Sequence, residues 1–378
     1  MANTVLRGLN WGHRRATEPL QAAASHFTQC HPACTIEWTV QPLSGFEHGL
    51  DYNVVDRFDL IVFDHPFCGD IADRQLFRPV SDDHAGSLDD GVFVGRSLHS
   101  YRYGGALWGV PVDGATQTAV YRPDLLSRYG ELPQTWDDIV RLGRAVRNDG
   151  LWLGLAGLNP HAFLVVAALC ANLGQPLCAN PESKPFDRST LAAAMAAMRE
   201  LQPFLHPDWR RFNAIDLHEA MATRNDIVYC PAVYAYLTYA EADHAKPLRF
   251  GAFPGPTAPH HAGTVLGGTG LAMTRSCSNP DSAAAFLAFA GSDECQRLFA
   301  RHHGQPARKE SWSDDQTNLH FGEAFRATRD TMDAAWMRPR FKGYIRRQHA
   351  LGTLFEATEA DVAIDGLMRD IERIWSGR

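Results

Sequence analysis

Phe58-Asp-Leu-Ile-Val-Phe-Asp-His-Pro66 is the stretch that decides the fold. Its centre, residues 60–63, is four apolar residues without alternation, bracketed by Asp59 and Asp64. Such a run suits a strand buried on both faces of a parallel sheet. Upstream, residues 5–10 and 35–39 read as strands. Between them, residues 19–30 read as a helix with Leu20, Ala23, Ala24 and Phe27 on one face. His31-Pro32 stops that helix, because proline cannot continue the hydrogen-bond ladder. Strand, helix and strand at this spacing predict an α/β lobe of the doubly wound kind.

Downstream the alternation continues. Residues 106–111 and 118–121 are expected as strands leading to a second lobe. Thr135-Trp-Asp-Asp138 has the form of a helix start, with a hydroxyl to cap and two carboxylates at the positive end. That helix is expected to reach Asn148. Further helices are expected over 161–173, 190–201 and 217–223, and strands over 227–230 and 248–253. Residues 251–263, rich in Pro and Gly, read as a loop. Gly267-Gly-Thr-Gly270 reads as a loop entering a strand. Helices then fill most of the chain from 279 onward, with a break at Pro339 and a last amphipathic helix over 360–375.

With 378 residues, the chain is longer than one hydrophobic core usually supports, so two lobes are expected. Apolar residues make up 45% and charged residues 21%, which excludes disordered and collagen-like classes. The net charge of −7 and the absence of a basic, aromatic-interleaved stretch argue against nucleic acid as a partner. The richest apolar window, 162–173, is too short to span a bilayer and contains Cys170 and Asn172, so no membrane insertion is expected. The first ten residues lack a basic segment followed by an apolar one and a small-residue cleavage site. Eight cysteines are scattered with no C-x-x-C pair. Dispersed thiols suit a reducing compartment, so the cytosol is the expected location; a truncated N-terminus would point to the periplasm.

Several segments together resemble the family 1 extracellular solute-binding proteins of ABC importers. They are Leu9-Asn-Trp11, His31-Pro32, the 58–66 stretch, Leu107-Trp-Gly-Val-Pro111 and Tyr121-Arg-Pro-Asp-Leu-Leu126 with Pro133-Gln-Thr-Trp-Asp-Asp138. Further on come Gly267-Gly-Thr-Gly-Leu-Ala272, Ala283-Ala-Ala-Phe-Leu-Ala-Phe289 with Gln296, and Gly304-Gln-Pro306. The resemblance implies the type 2 periplasmic-binding fold, two α/β lobes with a ligand cleft and hinge crossovers. It implies a first lobe of 1–114 plus 263–312 and a second of 115–262 plus 313–378. A monomer without a cofactor, passing its ligand to an ABC permease, is the implied working form. The N-terminus departs from the family, which normally carries an export signal.

In open α/β sheets, ligands sit beyond the carboxyl ends of the strands. Trp11, His13 and Arg14 follow the first strand, and Asp64 and His65 follow the third. An indole offers a stacking face and a carboxylate accepts bonds from hydroxyls, though a core indole and a turn cap are the plain alternatives. Asp113 and Gln117 lie where the lobes should join, and Asp113-Gly114 also suits an ordinary turn. Tyr234 and Tyr236, with Tyr239, combine flat area with a hydroxyl. Gly268 and Thr269 can lend backbone N–H groups to a ligand, or simply form a turn. Arg340, with Arg338, is a candidate clamp for a carboxylate or phosphate. Trp312 is a candidate for the cleft rim.

No metal is expected. His260-His261 and His302-His303 are adjacent pairs that do not form a chelating face, and Cys30-His31-Pro-Ala-Cys34 lacks a second cluster. These residues support a binding protein for a small polar molecule, sugar-like or carboxylated. The alternative is a cytosolic enzyme on the same fold, using Asp64 and His65 as acid and base or Cys230 as nucleophile. A cytosolic ligand sensor is a third possibility.

Overall fold

The computed structural model describes residues 4–48, 52–81, 88–255, 263–359 and 361–377. The expected helix start at Ala360, the His260-His261 pair and most of the 251–263 loop lie wholly or partly outside them. Two compact units emerge. Unit 1 comprises Met1–Ala115, Gly267–Thr317 and Arg340–Ile345, and unit 2 comprises Thr116–Leu266, Asn318–Pro339 and Arg346–Arg378.

The described strands, in chain order, are β1 (Thr4–Trp11), β2 (Cys34–Gln41), β3 (Leu60–Phe63), β4 (Phe77–Arg78), β5 (Arg102–Tyr103) and β6 (Ala106–Leu107). They continue with β7 (Val110–Tyr121), β8 (Trp152–Leu153), β9 (Ile227–Tyr234), β10 (Arg249–Gly251) and β11 (Leu266–Thr274). In unit 1, β1 pairs in parallel with β2 on one side and β3 on the other. β11 runs antiparallel to β3 and also takes β4. All four residues of β3 are buried, as the unbroken apolar run requires. In unit 2, β9 lies between β7, antiparallel, and β8, parallel, and β10 pairs with β7.

Helix α1 (Arg14–Cys30) buries Leu20, Ala23, Ala24 and Phe27, the face its spacing indicated. It starts five residues before Pro19. The His13 ring caps it, its Nδ1 accepting the Arg15 N–H at 3.0 Å, so Pro19 lies inside the helix and not at its first position. The helix Trp136–Asn148 begins at the expected cap. Thr135 Oγ1 accepts the Asp138 N–H at 3.3 Å, and the Asp138 carboxylate accepts the Thr135 N–H at 2.8 Å. That reciprocal pair satisfies two of the donors every helix start leaves open.

Two expectations are corrected. Residues 106–111 and 118–121 are not two separate strands: 106–107 pair in a small hairpin with β5, while 110–111 and 118–121 are the two ends of one strand, β7, which runs unbroken through Asp113 and Gly114. The Gly114 N–H donates to the Gln305 carbonyl at 2.8 Å, which holds that residue in the strand where a turn was the alternative. Likewise Gly267–Gly270 is strand and not a loop. Gly268 has φ of +90°, and a side chain there would collide with the Asp113 carbonyl. The glycine is needed for close backbone approach.

Gly69 makes the same kind of demand. In the helix Cys68–Arg74, a methyl group at this position would overlap the Arg340 carbonyl and press on the backbone at Phe341 and Lys342. Because backbone cannot rotate away, Gly69→Ala is expected to destabilise the protein by about 2 kcal/mol. Urea unfolding midpoints measure this; an unchanged midpoint would show that the 340–342 segment moves freely.

Candidate functional site

Strand register assembles the unit 1 cluster. β1 and β3 run parallel, with Gly8 opposite Leu60 and Leu9 opposite Ile61, so their carboxyl ends emerge at one edge of the sheet. β11 arrives antiparallel, with Gly270 opposite Phe63. Trp11 ends β1 two residues beyond Leu9, Asp64 directly follows β3, and Thr269 precedes Gly270 within β11, so all three lie at that edge, Trp11 level with Phe63 and Thr269 level with Asp64. Trp11 is 3% exposed and its ring stacks on Phe46, with centroids 5.1 Å apart. Trp11 Nε1 and Thr269 Oγ1 are buried and have no hydrogen-bond partner among the described residues. The Asp64 side chain is 18% exposed, with His65 Nδ1 3.2 Å from its carboxylate. The ring of His65 is fully buried, edge-on to Tyr101.

Other residues expected in the site frame it. Asp113 and Arg15 form a buried bidentate ion pair, with Arg15 Nε donating to Asp113 Oδ2 at 2.7 Å. Burial holds the Asp113 carboxyl above its usual range, and Arg15 offsets this only in part. Opposite charges that close on each other this way leave little net field for a ligand. His13 caps α1, and Arg14 is engaged by Glu18 and by His303 Nε2 at 2.9 Å. Arg340 Nη1 donates to the carbonyls of His99 and Ser100, each at 3.0 Å, and to that of Arg102. Its guanidinium braces the 99–102 segment. Trp312 is buried, its Nε1 donating to the Pro306 carbonyl at 2.7 Å, which makes it a core brace as well.

Unit 2 holds a second cluster. Tyr234 closes β9, and Gln117, on β7, is opposite it in register. Gln117 is 1% exposed, with Oε1 lacking a partner among the described residues. The Arg338 guanidinium lies 6.0 Å from the Tyr234 ring and donates to Gln348 Oε1 at 3.2 Å. His161 faces the same tyrosine edge-on at 6.4 Å. Tyr236 and Tyr239 turn away from it, both packing against His218, and the Tyr239 hydroxyl donates to Glu219 at 3.1 Å.

The sequence reading passed over His161 and Tyr101. For His161 a signal existed: it is the one basic residue of a largely apolar stretch, and such a residue needs a reason to be buried. Tyr101 has no local signal, since only tertiary packing brings it to β3. Cys230, considered as a nucleophile, is corrected here. It is fully buried within β9, and burial pushes its thiol up to about 12. A protonated, enclosed thiol does not attack a substrate.

Among solved structures, maltose-bound MalE3 of T. maritima is 17% identical, with a TM-score of 0.82 and 99% of each chain covered. A Thermotoga lettingae ABC transporter solute-binding protein bound with α-D-tagatose is 16% identical, with a TM-score of 0.82, covering 98% of this chain and 100% of that one. A counterpart from Agrobacterium vitis with bound D-mannitol is 15% identical, with a TM-score of 0.80, covering 99% and 98%. The fold is therefore that of the two-lobed, mixed α/β periplasmic-binding class. The profile described as bacterial extracellular solute-binding protein matches residues 50–318, well over half of the chain, and the chain belongs to that family. No curated protein matches the sequence. No helix among the described residues is long and apolar enough to cross a membrane.

His161 gives the unit 2 cluster a pH signature. Burial first, then the Arg338 charge, push its imidazole from 6.5 down to about 4. As pH falls, the unfolded chain takes up this proton first. The stability of the buried neutral ring is therefore full above pH 6.5 and is lost between about 6.5 and 4, to the extent of about 3 kcal/mol. His161→Gln should flatten the fall in urea midpoint between pH 7 and pH 4.5. An identical slope in both proteins would remove His161 as its source.

Proposed function

We propose that the protein binds a neutral, hydroxyl-rich small molecule, a sugar or polyol, and presents it to an ABC permease. The observation that carries this reading is a pair of buried, unanswered donors in unit 1, Trp11 Nε1 at the end of β1 and Thr269 Oγ1 within β11, with the part-exposed Asp64 carboxylate directly after β3. Buried polar groups are costly until something bonds to them, and ligand hydroxyls are both donors and acceptors. The indole adds a flat apolar face of the kind that covers a sugar's C–H surface. In this reading Trp11, Asp64, His65, Gly268 and Thr269 contact ligand. Gln117 and Tyr234 are proposed as contacts from unit 2, and Tyr236, packed on His218, is assigned to the frame. His13, Arg14, Asp113 and Arg340 are assigned to the frame. The maltose, tagatose and mannitol held by the structural relatives support the same ligand class.

A carboxylated sugar is the second reading, favoured by the buried Arg338 guanidinium beside Tyr234. Guanidinium forks match carboxylates well. A thermal-shift panel of maltose, D-tagatose, D-mannitol and the corresponding sugar acids separates the two, with titration calorimetry on each hit and mass spectrometry of the recovered ligand. Neutral ligands are expected to bind and return intact. Trp11→Ala and Asp64→Asn should each weaken binding at least tenfold, about 1.4 kcal/mol. Undiminished affinity in both variants would sink the assignment, and a chemically altered ligand would restore the enzyme reading.

The compartment is proposed on separate grounds. The family is described as extracellular. All eight cysteines are free thiols, six of them buried, which favours a reducing compartment and hence the cytosol. Fractionation of the native host, with the chain detected by antibody, should place it with cytosolic markers; recovery in the periplasmic or secreted fraction overturns this.

A further inference from the structure

Successive residues of a strand point to opposite faces of a sheet. Asn10 and Trp11 are neighbours at the end of β1, so they do not share a face. Trp11, level with Phe63, points to the face on which Phe63 packs against Tyr101. Asn10 shares its face with Leu6 and Gly8, the face over which Trp38 and α1 pack. Asn10 is fully buried there, and neither Oδ1 nor Nδ2 has a partner among the described residues. A buried carboxamide with both ends unanswered is costly and contributes nothing to an apolar core.

Space lies next to it. A groove of about 720 Å³ runs along α1, and Asn10 is part of its lining, with Thr17, Gln21, Trp38 and Val40 at the same end. That volume falls within the range of small-molecule sites. The Trp38 ring is half-buried, and its Nε1 is anchored on the Leu20 carbonyl at 3.2 Å, which leaves an indole held in place at the groove wall. Glu18, further along, is matched by Arg14 at 3.3 Å and His303 at 3.3 Å.

We propose that unit 1 carries a second small-molecule site on the α1 face of its sheet, in which the Asn10 carboxamide holds a neutral vicinal diol against Trp38. The carboxamide presents a donor and an acceptor side by side, and a pair of adjacent hydroxyls is the complement. The choice of a diol rests on the ligand class proposed for the first site; the site itself rests on Asn10 and the groove.

The test is native mass spectrometry and calorimetry of the full chain with maltose and with D-mannitol as probes. Two binding events are expected with one probe or the other. Trp11→Ala should remove only the first, and Asn10→Leu should weaken the second at least tenfold while the melting temperature holds or rises. Val40→Trp, at an exposed position on the groove wall, should block the second event without touching Asn10, so the site is tested even if Asn10→Leu folds poorly. A crystal grown with the probe should show it on the Asn10 amide. A single event in the wild-type chain, a second event that survives both groove variants, or only an ordered water on Asn10 overturns this proposal. A first event that survives Trp11→Ala, with the second lost in both groove variants, would instead count against the reading of the Trp11 cluster.

Discussion

Parallel pairing of β1 with β3 is the constraint from which the unit 1 site follows. Parallel strands deliver their carboxyl ends to one edge, and the antiparallel β11 brings its own residues to the same edge from the other direction. Trp11, Asp64 and Thr269 are distant in sequence, and the ladder brings them to the same edge of the sheet. A slip of one residue would send each side chain to the opposite face of the sheet. The Asp59 carboxylate, just before β3, accepts the Arg7 N–H of β1 at 2.9 Å and ties the two strands in this register.

Charge at this edge is arranged differently from hydrogen-bonding capacity. Arg15 and Asp113 close on each other, and Arg340 is absorbed by three carbonyls. The strongest ions near the strand tips are thus used inside the protein, as buried charges must be if they are not to shift or neutralise. Trp11 and Thr269 keep uncharged donors, an indole N–H and a hydroxyl, that are buried and without partners among the described residues. A site with that inventory discriminates by hydrogen-bond geometry and shape. It suits an uncharged, hydroxylated guest better than an ionic one.

The same economy explains why the thiols are poor candidates for chemistry. Cys230 and Cys170 lie in a strand and a helix where their neighbours are apolar, and burial pushes both up to about 12. They pack as small hydrophobic residues. The family is one of solute-binding proteins, and these two thiols supply no nucleophile.

Local sequence alone determined the elements whose signals are short-range. The apolar run at 60–63, the Thr135/Asp138 capping box and the one-sided face of α1 each follow from neighbours within a turn or two, and each is found as read. Two lobes followed from length and from the succession of such elements. Tertiary structure decided what depends on contacts between distant segments. Asp113-Gly114 and Gly267–Gly270 carry turn chemistry but lie in strands, because backbone from Gln305 and Asp113 comes against them. Arg340 and Asp113 carry site chemistry but serve as braces for the same reason. Asn10 and Trp11 read as one motif, and only the sheet, with its two faces, sends them to different places.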